Sequence, residues 1–169
     1  VMQSLAVLNR LLTLVCRTTV GITFLALIAV VTIQIVTRTF GLPSPVWTEE
    51  LSRYLLLYMT AFGIGLSLVT GELVNVDLLQ EAVSERVSWW MRLLAAAFTA
   101  VLSAVMILPA WKFTAIGAFQ RSPSLRWTMD YIHASVLFLS VLLCFFAVIR
   151  VIGMLAGTDD GRPQFVEEL

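Results

Sequence analysis

The chain has 169 residues, of which 59% are hydrophobic and 13% charged, with mean hydropathy +0.92 and no net charge at pH 7. Soluble domains carry about a quarter charged residues and roughly half apolar ones, so this composition excludes a water-soluble globule and predicts an integral membrane protein. No two basic residues are adjacent, which excludes a phosphate-gripping surface for nucleic acid.

Residues 1 to 17 read as an amphipathic helix lying along the membrane. Gln3, Arg10 and Arg17 recur a heptad apart, and Leu5, Leu8, Leu12 and Val15 share the opposite face. Four uncharged runs follow, at about 18–37, 54–71, 93–111 and 131–149. A helix needs about 20 residues to cross roughly 30 Å of hydrocarbon, so each run is long enough to span. The first run has no small-residue cleavage site behind it and reads as a retained anchor. The expected fold is therefore all-α: one four-helix membrane domain over 1–157, interfacial amphipathic helices, and a flexible tail over 158–169.

Before the second span stands "PVWTEELSRY", with Trp47 at the interface. With Thr48 as N-cap, Glu49 and Glu50 fall in the first helical turn, and Arg53 lies within pairing distance of either. Within this span Ala61 with Gly65, and Gly63 with Ser67, put small residues one turn apart, a spacing that lets helices approach closely. The segment "ELVNVDLLQEAVSERVSWW" reads as a second interfacial helix. Val76, Leu79, Val83, Val87 and Trp90 lie on one face, and Asp77, Glu81 and Glu85 on the other. Such an acidic stripe suits a cation or a basic partner, but a solvated face is the plainer reading.

The third span carries Ala96, Ala100 and Ala104 along one stripe, and Pro109, which is expected to bend it. A Ser-Pro-Ser turn follows, then Arg126 four residues before Asp130, the spacing of a surface pair. In the fourth span His133 sits near the interface as a hydrogen-bonded boundary residue, and Gly153 and Gly157 lie beyond it. Gln34, Thr60 and Ser103 are candidates for hydrogen bonds between helices. All five tryptophans fall at or just outside span ends, where an indole straddles the interface.

Four spans put both termini on one side. Six arginines accompany them, against five basic residues on the other side, so charge does not set the orientation. Cys16 and Cys144 stand alone in apolar runs and read as small buried hydrophobes rather than redox or metal ligands. One histidine cannot hold a bis-histidine haem, and neither a nucleophile triad nor a glycine-rich phosphate loop is present. The expectation is a packing scaffold with no catalytic residues, no cofactor and no metal. Two alternatives stay open: a self-contained small oligomeric transporter, and the membrane anchor of a redox complex.

The stretch "VWTEELSRYLLLYMTAFGIGLSLVTGELVNVDLL", residues 46 to 79, resembles the DctQ-like family, the small membrane subunit of TRAP (tripartite ATP-independent periplasmic) transporters. The resemblance rests on Trp47, Glu49, Glu50, Leu51, Ser52, Arg53 and Gly63, then Gly71, Val76, Asp77, Leu78 and Leu79. The family often has a histidine shortly after the post-span glycine, where this chain has Glu72 and Leu73. The resemblance implies an inner-membrane protein with cytoplasmic termini, and Glu49, Glu50 and Arg121 on the periplasmic side. It implies a large permease subunit holding the substrate and sodium sites and moving as an elevator, and a periplasmic substrate-binding protein that docks on the pair. Carboxylates would be the solutes. Trp47, Glu49, Glu50, Arg53, Gly63, Gly65, Gly71 and Asp77 are then the candidate subunit-interface or membrane-boundary residues.

Overall fold

A computed structural model describes residues 2–43, 45–70 and 84–157. Four helices make up the architecture: α1 (Met2–Thr39), α2 (Val46–Thr70), α3 (Glu85–Gly117) and α4 (Asp130–Leu155). Each contains a stretch long and apolar enough to cross a membrane. Gly71, Asp77 and Glu81, like the tail from 158, lie outside the described residues. Glu85, the last of the acidic stripe, is exposed in the first turn of α3, so the end of the expected interfacial helix, through Val87 and Trp90, is continuous with the third span.

The first helix departs from expectation, because the amphipathic segment and the first span form one unbroken helix of 38 residues. Nothing between them stops a helix, since there is no proline and Gly21 is a single internal glycine. The amphipathic segment also has a partner inside the chain. Thr13 and Cys16 are buried, and Leu12 packs on a core of Cys16, Leu68, Leu142, Phe146 and Ala147. Leu8 and Val15, expected on the same apolar face as Leu12, remain exposed.

Gly41 ends α1. Its φ of +68° suits a residue without a Cβ, and Leu42 N–H donates to Thr37 O (2.9 Å) while Gly41 N–H donates to Arg38 O (3.3 Å). This pair of bonds satisfies carbonyls that the last helical turn leaves open.

The helices pack in the order α1, α2, α4, α3, as an open row. The small residues in α2 face two ways. A Cβ on Gly63 would meet Val20 of α1 at 4.0 Å, an ordinary contact, whereas one on Gly65 would stand 2.9 Å from the Phe146 ring of α4. In α3 the small-residue stripe follows heptad spacing. Ala96, Ser103, Ala110 and Gly117 are all buried, and Ala104 is exposed. A seven-residue repeat keeps one seam facing a neighbouring helix, so the one-per-turn alanine stripe holds at buried Ala96 and at Ala100, which packs on the core, and leaves the contact at Ala104. Pro109 is exposed, and α3 continues past it to Gly117.

The hydroxyls of Thr60 and Ser103 do not bridge helices. They donate to their own helix, to Leu56 O (2.8 Å) and Thr99 O (2.6 Å), the nearest carbonyls one turn back. At the other end of the row, buried Arg150 donates from Nη1 to Leu68 O (2.8 Å), placing a cation against the last turns of α2.

Candidate functional site: a carboxylate clamp between α2 and the α3–α4 hairpin

The chain between α3 and α4 folds into a small hairpin. Arg121 and Thr128 form an isolated antiparallel bridge, Ser122 N–H donates to Trp127 O (2.8 Å), and Met129 N–H donates to Gln120 O (3.0 Å). Pro123 presets a turning φ at the tip. Arg126 takes φ +56°, unusual for a residue with a side chain, and its N–H donates to Ser122 O (3.2 Å). Arg126 therefore lies outside helical geometry, and the expected pair with Asp130 does not form. The Arg126 side chain is exposed, and Asp130 Oδ1 is buried without a hydrogen-bond partner.

Glu50 reaches from α2 into this hairpin. One carboxylate oxygen, Oε1, accepts the hydroxyls of Ser122 and of Tyr54, one turn along α2. The other, Oε2, accepts two consecutive backbone N–H groups, those of Ser124 and Leu125, each at 3.0 Å. Consecutive N–H groups in a turn make a small anion-binding concavity. Four donors converging on one group match an ionised carboxylate, which only accepts. Ser122 is 2% exposed, so its hydroxyl needs this partner.

The sequence reading treated Glu49 and Glu50 alike, and the structure separates them. Glu50 is half-buried in the clamp, while Glu49 and Arg53 are exposed one turn apart. Arg53 makes no ion pair with either glutamate among the described residues; hydroxyls and backbone N–H groups take Glu50, and Glu49 and Arg53 both stay exposed. Thr48 is not the N-cap. The helix already begins at Val46, and Thr48, fully buried, donates its hydroxyl to Pro45 O (2.7 Å). Trp47 is 39% exposed beside it.

Below the clamp, Tyr58 donates its hydroxyl to Tyr131 O, and Phe62 stacks on Phe138 with ring centroids 5.8 Å apart. Glu50, Tyr54, Tyr58 and Phe62 thus form a ladder at four-residue spacing along α2. Tyr54, Ser122 and Tyr58 were not singled out from sequence. The four-residue spacing of Glu50, Tyr54 and Tyr58 was the available signal, but the hairpin and α4 partners of Glu50 and Tyr58 lie more than 70 residues away.

His133 is hydrogen-bonded at the boundary, as expected. Its Nδ1 lies 3.0 Å from Phe113 O, and since a carbonyl only accepts, Nδ1 carries the proton. The ring stacks on Phe113 at a centroid distance of 3.8 Å, beside the α3–α4 approach at Gly117.

The model for tripartite ATP-independent periplasmic transporters, DctQ component, matches residues 27–157. The chain belongs to the DctQ family. No curated protein matches it. The matched region takes in the C-terminal part of α1, all of α2 and α3, the clamp and α4. Membership makes the chain a small permease subunit of a TRAP transporter, a multi-pass membrane component of a transport system rather than a member of an enzyme family.

Proposed function

We propose that this DctQ subunit is a static scaffold that seats the large permease subunit, and that its clamped hairpin helps dock the periplasmic substrate-binding protein. The open helical row supports the scaffold role. α1 and α3 stand at its edges, each keeping an apolar face, with Leu25 (68% exposed) and Leu108 (71% exposed), free for another protein's helices. Within the four spans the chain offers packing seams and no mid-membrane carboxylate or lysine along a path. Substrate and sodium sites, carboxylate specificity and elevator motion therefore belong to the large subunit.

The clamp carries the docking role. It fixes a hairpin whose Arg121, Arg126 and Trp127 are all exposed at one end of the row. With both termini in the cytoplasm of an inner-membrane protein, that end faces the periplasm, where a soluble protein would meet it.

Affinity purification of this chain from native membranes in mild detergent, followed by mass spectrometry, tests the scaffold. A many-span permease recovered in constant ratio is expected, and recovery of the chain alone as a homo-oligomer would overturn the reading. Glu50→Ala, which frees the hairpin, is expected to weaken capture of the binding protein while the permease still co-purifies. Undiminished capture would remove the hairpin from the docking role.

A further inference from the structure

The clamp forms one wall of a cleft of about 340 Å³, through Glu50, Tyr54 and Ser124, and Glu49, Arg53 and Met129 are among the residues lining the rest. The Glu50 carboxylate is already taken by its four donors. Glu49 and Arg53 are both exposed, and no ion pair joins them among the described residues. They stand on the same side of α2, four residues apart. Three and four residues further on come Leu56 (45% exposed) and Leu57 (43% exposed). Read from the end of α2 inward, this stripe is anion, cation, then bare hydrocarbon.

At a rise of about 1.5 Å per residue, Arg53 lies roughly 6 Å deeper than Glu49, and the two leucines lie roughly 5 Å deeper again. An ethanolamine phospholipid in a leaflet presents the same sequence of chemistry with complementary charge: an outermost ammonium, then a phosphate, then acyl chains. Trp47 and Trp127, exposed at the same end of the row, mark the headgroup level.

We propose that the cleft binds the headgroup of an ethanolamine phospholipid, its ammonium on Glu49, its phosphate on Arg53, and its acyl chains along Leu56 and Leu57. The order of charges gives the selectivity. A choline headgroup has no N–H to donate to Glu49, and a glycerol headgroup brings no cation, so both lose the upper contact. The lower contact, guanidinium to phosphate, is common to all three lipids. The inference rests on α2 spanning the membrane and not on the transporter assignment, so either can fail without the other.

Native mass spectrometry of the full chain, offered equal amounts of phosphatidylethanolamine, phosphatidylcholine and phosphatidylglycerol, tests it. The wild-type chain is expected to retain phosphatidylethanolamine several-fold over the other two. Glu49→Gln should reduce it to the phosphatidylcholine level, and Arg53→Gln should lower retention of all three. Arg38→Gln, an exposed cation outside the cleft, should change nothing. Both cleft substitutions are at exposed positions, so circular dichroism should show wild-type helicity. Equal retention of the three lipids by the wild-type chain, or an unaltered preference in Glu49→Gln, overturns the assignment and leaves the cleft to a side chain of a partner protein.

Discussion

Glu50 and Ser122 stand 72 residues apart in the chain and are joined by a hydrogen bond from the serine hydroxyl to the carboxylate. That bond, with the two backbone N–H groups beside it, fastens the start of α2 to the hairpin between α3 and α4. Helices in a membrane have little hydrophobic drive to associate with one another, so a polar clamp at the boundary fixes which ends meet.

Replacement of Glu50 by Gln keeps the size and removes the charge, and one oxygen position becomes an NH₂ that faces donors. Glu50→Gln is expected to cost about 1–3 kcal/mol and to lower the thermal midpoint in detergent. Glu49→Gln, with no partner in the clamp, should stay within about 0.5 kcal/mol. Equal losses for the two would mean that the clamp does not distinguish them.

Gly65 and Gly63 make a second contrasting pair. Gly65→Ala brings a methyl within 2.9 Å of the Phe146 ring, itself 3% exposed, and should destabilise by about 1–3 kcal/mol. Phe146→Leu in the same chain should recover part of that loss. Gly63→Ala should be tolerated, since Val20 lies at ordinary contact distance. Unfolding followed by near-ultraviolet circular dichroism separates the three.

A larger effect is expected at Gly117. A Cβ there would stand 2.6 Å from the backbone nitrogen of Asp130, and backbone yields less readily than a ring. Gly117→Ala should open the α3–α4 approach and expose the hairpin, read as faster protease cleavage between Arg121 and Thr128. Wild-type cleavage rates would show that the close approach is dispensable.

Orientation can be measured directly. In a chain with Cys16→Ala and Cys144→Ala, a single cysteine replacing Arg121 should react with a membrane-impermeant thiol reagent added to intact cells. One replacing Arg86, exposed at the opposite end of the row, should not. The reverse pattern would invert the topology and take the hairpin away from the periplasm.

Much of this protein was legible along the chain. The uncharged runs and the charged residues bordering them marked four spans, since hydrocarbon thickness imposes a length and charge marks its limits. The Glu-Glu-Leu-Ser-Arg stretch with its downstream glycine pointed to the DctQ family, and the family match over 27–157 agrees. Small residues marked α2 as a packing helix, and His133 was placed at a boundary because a lone imidazole near a helix end finds a carbonyl.

What the sequence could not decide was everything that depends on which helices touch. The equivalence of Glu49 and Glu50 was broken only by a hairpin more than 70 residues away, whose backbone N–H groups no local pattern reveals. The Arg126–Asp130 pair looked sound by spacing and failed because the hairpin turns Arg126 into the left-handed region. The alanine stripe of α3 held at Ala96 and Ala100 but gave way after them to Ser103, Ala110 and Gly117, because contact with α4 selects a seven-residue repeat. Local sequence determined that there are four spans and that they lie in a membrane, because those follow from hydrophobicity and length. The helices themselves run past the uncharged stretches, as in the 38-residue α1 and in α3 over Glu85–Gly117. Tertiary packing alone decided which carboxylate is clamped and which is left exposed without a partner in the clamp.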